Sequence, residues 1–202
     1  VEPPKVDLLG GFPPAYRARA AALHAENKLL PLLQRRYPEA HTVHDNAALY
    51  RYVQELKKEH MRSSPPLGKV RYCDKISTVH NALGLHTYAV RVQGSKLKRK
   101  NELRVGSVFR DMPAVFLRTI VVHELAHLRH RDHDRAFYRL CTHMDPDYHR
   151  HEADLRLWLF ATQDQRQEAQ QADKRARRKQ REAEKKARRA AQRAASARGR
   201  KG

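Results

Sequence analysis

An α+β domain followed by a basic appendage is the architecture this sequence predicts. Three observations carry it. Apolar residues recur with a helical period at both ends of the first 160 residues, short β-favouring runs fill the middle, and residues 165–202 contain no apolar side chain larger than Ala. Tyr16 to Tyr37 is rich in Ala and Leu and reads as helix interrupted at Pro31, and Ala47 to Met61 sets Leu49, Tyr52, Val53 and Leu56 at helical spacing. Ser63, Ser64, Pro65 and Pro66 then punctuate the chain. Three runs favour strand: Val70 to Ile76, His86 to Val92 and Leu103 to Phe109. Turn-prone Asn81, Gly84, Gly94 and Ser95 lie between them, so a small antiparallel sheet is expected. The helical period returns at Asp111, an expected N-cap with Pro113 in the first turn, and persists to Phe160. Residues 1–164 therefore read as the folded domain and residues 165–202 as a tail, helical or disordered.

Charge divides the chain at the same place. Lys and Arg number 42 against 22 acidic residues, a formal charge of +20. The tail alone holds 15 Lys and Arg against 4 acidic residues, so +11 of that charge lies in residues 165–202. Without Leu, Ile, Val or an aromatic, the tail cannot offset the cost of ordering its backbone by burial, so it joins no core. Its composition still favours helix. Together with Lys96, Lys98, Arg99 and Lys100, it offers a contact for nucleic acid, since each phosphate neutralised releases counterions, with a solubilising extension as the other reading. No run approaches the roughly 18 apolar residues of a membrane span. Cys73 and Cys141 are too few for a disulfide framework and form no C-x-x-C pair. A cytoplasmic protein without a membrane role is the expectation, with its oligomeric state left open.

Within the returning helix lies His123-Glu124-Leu125-Ala126-His127. Two histidines four residues apart on a helix lie about 40° apart around the axis, so both rings reach one ion from the same side. Glu124 stands beside that ion as the general base for a water. Leu117, Val121, Leu125 and Leu128 form an apolar stripe, with Phe116 and Ile120 above the histidines, so the helix should be buried and the ligands rigid. A catalytic zinc site takes three protein ligands and leaves one position open. His133, six residues after His127, is the preferred third ligand. His130 shares the face but stands two turns from His123, about 10.5 Å along the axis. Glu152 is the distant rival. With 13 His in the chain, random placement predicts roughly 0.04 H-E-x-x-H matches, and roughly 0.003 with a His six further on.

Around this set, Asp132, Asp134, Glu152 and Asp154 are candidates to orient the imidazoles. Asp134 also reads as an N-cap, and Tyr138 and Tyr148 as packing residues that could stabilise an oxyanion. Cys141, Leu155, Trp158 and Leu159 read as core, and His80 and His86 flank a turn.

The stretch VVHELAHLRHRDHDRAFYRLCTHMDPDYHRHEADLRLWL resembles the YgjP-like metallopeptidase family, as do YRYVQELKKEHMR, NALGLHTYAVRVQGSKLKRK and LRVGSVFRDMPAVFLRTIVVHEL, over roughly residues 8 to 160. His133-Asp134-Arg135-Ala136-Phe137-Tyr138 is similar to the H-D-x-x-F-Y block of the related WLM peptidases. The resemblance implies a minimal zincin-like fold, Zn2+ on His123, His127 and His133, and Glu124 as base. SprT-like peptidases are related too. The long basic tail departs from the pattern.

Three functions compete. The favoured one is a zinc-dependent peptidase acting on a protein or peptide substrate. The second keeps the metal but hydrolyses nucleotide phosphoanhydrides, since water activated by a metal attacks phosphorus as well as carbon; no Gly-rich phosphate loop supports it. The third is a nucleic-acid-binding module with a structural metal, for which Glu124 would have no use.

Overall fold

The computed structural model describes residues 7–74, 85–93 and 96–198, with side chains left aside from 75 to 101 and at positions along the tail. The chain divides into two units, 1–161 and 162–202.

The first unit is α+β. Helix α1 (Pro14–Ala25) is followed by α2 (Leu29–Arg36) and α3 (Asn46–His60). The break expected at Pro31 falls instead at Asn27, whose φ of 56° is left-handed, a conformation Asn tolerates better than most residues. Pro31 sits in the first turn of α2, where its missing N–H costs nothing. Asp45 caps α3 by accepting from the Ala48 N–H at 2.8 Å.

Strands β1 (Leu67–Cys73), β2 (Leu85–Gln93) and β3 (Lys96–Gly106) form one sheet in the order β1-β3-β2. The β2–β3 pair is antiparallel, as expected of consecutive strands, with Leu85 opposite Arg104 and Gln93 opposite Lys96. β1 pairs with β3 in parallel, Val70 opposite Leu103 and Cys73 opposite Gly106, so the sheet is mixed rather than purely antiparallel. Residues 75–84, with His80, Asn81 and Gly84 among them, and Gly94 and Ser95 lie outside the described residues. Asn46 on α3 accepts from the Tyr72 N–H at 2.8 Å, and the Tyr72 hydroxyl donates to the Val43 carbonyl at 2.6 Å, which fastens β1 to the start of α3.

A 3-10 turn, Ser107–Asp111, leads into α4 (Ala114–Ala126). Asp111 ends that turn instead of capping the helix. Pro113 holds the N-cap position, and the Ala114 N–H is satisfied by the Glu39 carbonyl at 2.8 Å, from a distant segment. Ten of the thirteen residues of α4 are buried. A helix this apolar on every side belongs at the centre of a core. The core joins Leu49 and Val53 of α3, Leu103 and Val105 of β3, Phe116, Ile120 and Leu125 of α4, and Leu155 and Leu159 further on. Two helices complete the unit, α5 (Arg135–Met144) and α6 (Tyr148–Ala161). A smaller cluster joins Ala20, Leu29 and Leu33 to Leu157, with Trp158 packed against both clusters.

The second unit is a single helix, α7 (Gln163–Arg198), with an Arg178–Glu182 pair at 2.9 Å and a Gln180–Glu184 hydrogen bond at 3.1 Å on its surface. Such i,i+4 pairs each contribute a few tenths of a kcal/mol, about 0.2–0.5.

Candidate metal centre

The C-terminal turn of α4 presents His123 and His127 from the middle of the core. Past His127, which caps the helix, the Leu128, Arg129 and His130 N–H groups bond back to carbonyls of the last turn, and the chain reverses. Asp134 starts α5 by accepting from the Phe137 N–H at 2.8 Å, which fixes where that helix begins and holds His133 just ahead of it. The short reversal thus returns a third imidazole to the other two.

His133 Nε2 lies 3.2 Å from His123 Nε2 and 3.1 Å from His127 Nε2, and the last two are 3.2 Å apart. Nitrogens bonded to one tetrahedral ion at 2.0–2.1 Å would be about 3.3 Å apart, so this triangle fits a single metal ion. Phe137 lies beneath it. Its ring is fully buried and its centroid stands 5.0, 4.8 and 4.7 Å from those of His123, His127 and His133, so it packs on all three imidazoles from the protein side. His133 is exposed, which leaves the approach to the triangle on its side.

Hydrogen bonds set the protonation of the rings. His127 Nδ1 lies 3.0 Å from the His130 carbonyl, which only accepts, so Nδ1 carries the proton and the Nε2 lone pair faces the triangle. His123 Nδ1 lies 2.8 Å from the Tyr148 hydroxyl. Burial, with His127 and His133 adding to it, pushes His123 down to about 3, and burial also lowers His127, so these two imidazoles are neutral donors. Glu124, next along the helix and only 1% exposed, is pushed up to about 8 by burial alone. A cation beside it would pull that value back down. Among the described residues, His123, His127 and His133 form the group whose ring nitrogens could hold one metal ion.

Each other candidate has a place. His130 serves through its main-chain carbonyl and stays out of the triangle. Glu152 lies near enough to His133 for their charges to interact, but it is not in the set, and burial raises its carboxyl. Asp132 interacts with His127 through charge. Asp134 is the α5 cap. Asp154 is turned away, buried against Arg36 at 2.8 Å and the Tyr37 hydroxyl at 2.6 Å. Tyr138 stacks loosely beside His133 and His149, at 6.3 and 5.3 Å. The side chains of His86, Lys96, Lys98, Arg99 and Lys100 lie outside the described residues. Sequence reasoning missed the Tyr148 hydroxyl as the partner of His123 and the floor made by Phe137. Phe137 at the third position past a capping Asp was readable as the inward face of α5, whereas nothing in a 25-residue separation marks Tyr148.

Comparison with known proteins adds two findings. Residues 18–157 match the family model described as YgjP-like, metallopeptidase domain. The chain is also 50% identical over 151 residues, 75% of this chain and 90% of the relative, to the UTP pyrophosphatase of Escherichia coli (strain K12). No solved structure matches.

Proposed function

The chain belongs to the YgjP-like metallopeptidase-domain family and is a metal-dependent hydrolase, and from that premise we propose that it cleaves a phosphoanhydride of a nucleoside triphosphate, releasing pyrophosphate. The observation that carries the substrate is the 50% identity to a UTP pyrophosphatase across nine-tenths of that protein. The donor set supports it. Among the described residues no carboxylate joins the three imidazoles, and two of them lean on a phenol and a main-chain carbonyl, so an ion there would keep its full charge for an anionic substrate. Three nitrogen donors with an open fourth position suit zinc, which is the ion proposed for His123, His127 and His133.

When bound, the ion supplies Lewis acidity at the reacting centre and acidifies a water there. The protein's residues do the rest. Glu124 takes the proton of the attacking water and passes it to the leaving oxygen. Its place suits that work, because burial raises this carboxyl and a cation beside it draws it back down, so the two opposing effects favour a group that both accepts and returns a proton. His123, His127 and His133 hold their lone pairs on one point, and Phe137 keeps water from reaching them from below.

The family's own description favours a second reading, a peptidase in which the same residues act on a carbonyl. Parallel assays separate the two: pyrophosphate release from nucleoside triphosphates and cleavage of casein, with zinc-loaded wild type and Glu124→Gln. Pyrophosphate release from UTP is expected, falling by about 10²–10⁴-fold in Glu124→Gln while zinc is retained. Casein cleavage without pyrophosphate would replace this reading by the peptidase, and neither activity would overturn both.

A further inference from the structure

Helices α1, α2 and α6 enclose a cavity of about 320 Å³, walled by Leu23, Leu29, Leu32, Leu33 and Leu157. Leu157 follows Tyr148 by nine residues, about 180° around α6, so the cavity lies on the face of that helix opposite the metal centre. A cavity of about 150 Å³ admits benzene, so one twice as large has room for a branched or aromatic body with polar groups attached. Leu32 is 42% exposed, which puts the mouth beside it, and leucine walls offer water nothing to bond. Charge is arranged around this apolar hollow. Asp154 lines it with only 5% of its side chain exposed, and Arg36 Nη1 at 2.8 Å and the Tyr37 hydroxyl at 2.6 Å both meet the same oxygen, Oδ2. Among the described residues no hydrogen bond reaches Oδ1, although a buried carboxylate oxygen ordinarily has a partner. The lining also holds Arg19, an exposed residue of α1, so two guanidiniums stand against one carboxylate. The Arg36–Asp154 pair alone accounts for neither the free oxygen nor the second cation.

We propose that this cavity is a second ligand site, built for a small zwitterionic acid with an apolar side chain, the chemistry of a free amino acid of the leucine or phenylalanine kind. The ammonium group donates to Asp154 Oδ1, the carboxylate meets Arg19, the guanidinium that Asp154 does not neutralise, and the apolar side chain displaces water from the leucines. None of His123, His127 and His133 lines the cavity, so the site stands or falls apart from the reading of the metal centre.

The test is calorimetric titration of the full chain with L-leucine and L-phenylalanine, with N-acetyl-L-phenylalanine, which lacks the ammonium, and with phenethylamine, which lacks the carboxylate. Saturable binding of one or both amino acids at a single site is expected, with each truncated analogue weaker by about 10-fold or more. Arg19→Gln, at an exposed position, should weaken the amino acid by about the same factor and leave phenethylamine unchanged. Leu32→Trp fills the mouth and should abolish binding. Asp154→Asn should weaken the amino acid while leaving the N-acetyl compound as it was. Circular dichroism matching wild type shows that each variant is folded; should Asp154→Asn fail to fold, Arg19→Gln and Leu32→Trp decide. Absence of binding of both amino acids to wild type overturns the proposal, as does binding that Arg19→Gln and Leu32→Trp leave intact. An N-acetyl compound that binds as tightly as L-phenylalanine overturns the zwitterionic assignment and removes Asp154 Oδ1 from the site.

Discussion

At the scale of single residues, the site makes opposite demands on neighbours in the chain. Burial lowers His123 and raises Glu124, one position apart, so both are held neutral in the metal-free protein. The sign of each follows from linkage. His123, folded near 3 against an ordinary 6.5, contributes stability that is present above 6.5 and lost as the pH falls toward 3. Glu124, folded near 8 against 4.5, contributes stability that is present below 4.5 and lost as the pH rises through 8. Together they give a plateau between about 4.5 and 6.5 and a decline above it, worth about 2 kcal/mol between pH 6.5 and 8. Melting of the chelator-stripped chain across that range should show the decline, and Glu124→Gln should remove it; a flat wild-type profile would contradict the burial argument. His133→Ala should abolish tight zinc binding while His130→Ala retains it, because His130 contributes only its carbonyl; equilibrium dialysis of both variants decides the matter. The cluster of three imidazoles was readable because helical spacing alone sets His123 and His127, and the break before Asp134 returns His133. The Tyr148 hydroxyl was not, because its position depends on how α6 packs against α4.

Individual elements were legible where local chemistry decides them and illegible where distant partners do. The Asp134 cap follows from side-chain chemistry three residues deep and was expected. The start of α4 does not, since its first N–H is satisfied by Glu39, so the local signal of Asp111 misled. Pro31 misled in the same way, because a proline in a first turn is as compatible with helix as one in the interior is hostile. Asp134→Ala should cost about 1 kcal/mol as a lost cap. It should also weaken zinc, because α5 carries Phe137 under the ligands; denaturant unfolding and chelator competition measure the two effects, and unchanged zinc affinity would separate the cap from the site.

For the whole molecule, composition distinguished two kinds of chain. Residues 165–202 lack the apolar surface for a core, and α7 carries an Arg178–Glu182 pair on its surface. The parallel pairing of β1 with β3 was hidden, since periodicity reports which residues face a core and not the order in which strands lie. Among the described residues no helix is long and apolar enough to cross a membrane. The charge of the tail predicts that the chain binds duplex RNA or DNA with steep salt dependence, and that removing residues 165–202 flattens that dependence; filter binding at several salt concentrations tests it, and equal affinity for both forms would exclude the tail. The ring of Phe137 has one more effect, on timing rather than on affinity. Among the described residues that aromatic covers the inner face, whereas His133 is exposed and His127 half-buried, so a captured cation meets solvent through a door on their side. Exchange with competing cations should therefore be slow for so small a domain, and a bulky ligand parked at that door would imprison the ion behind it.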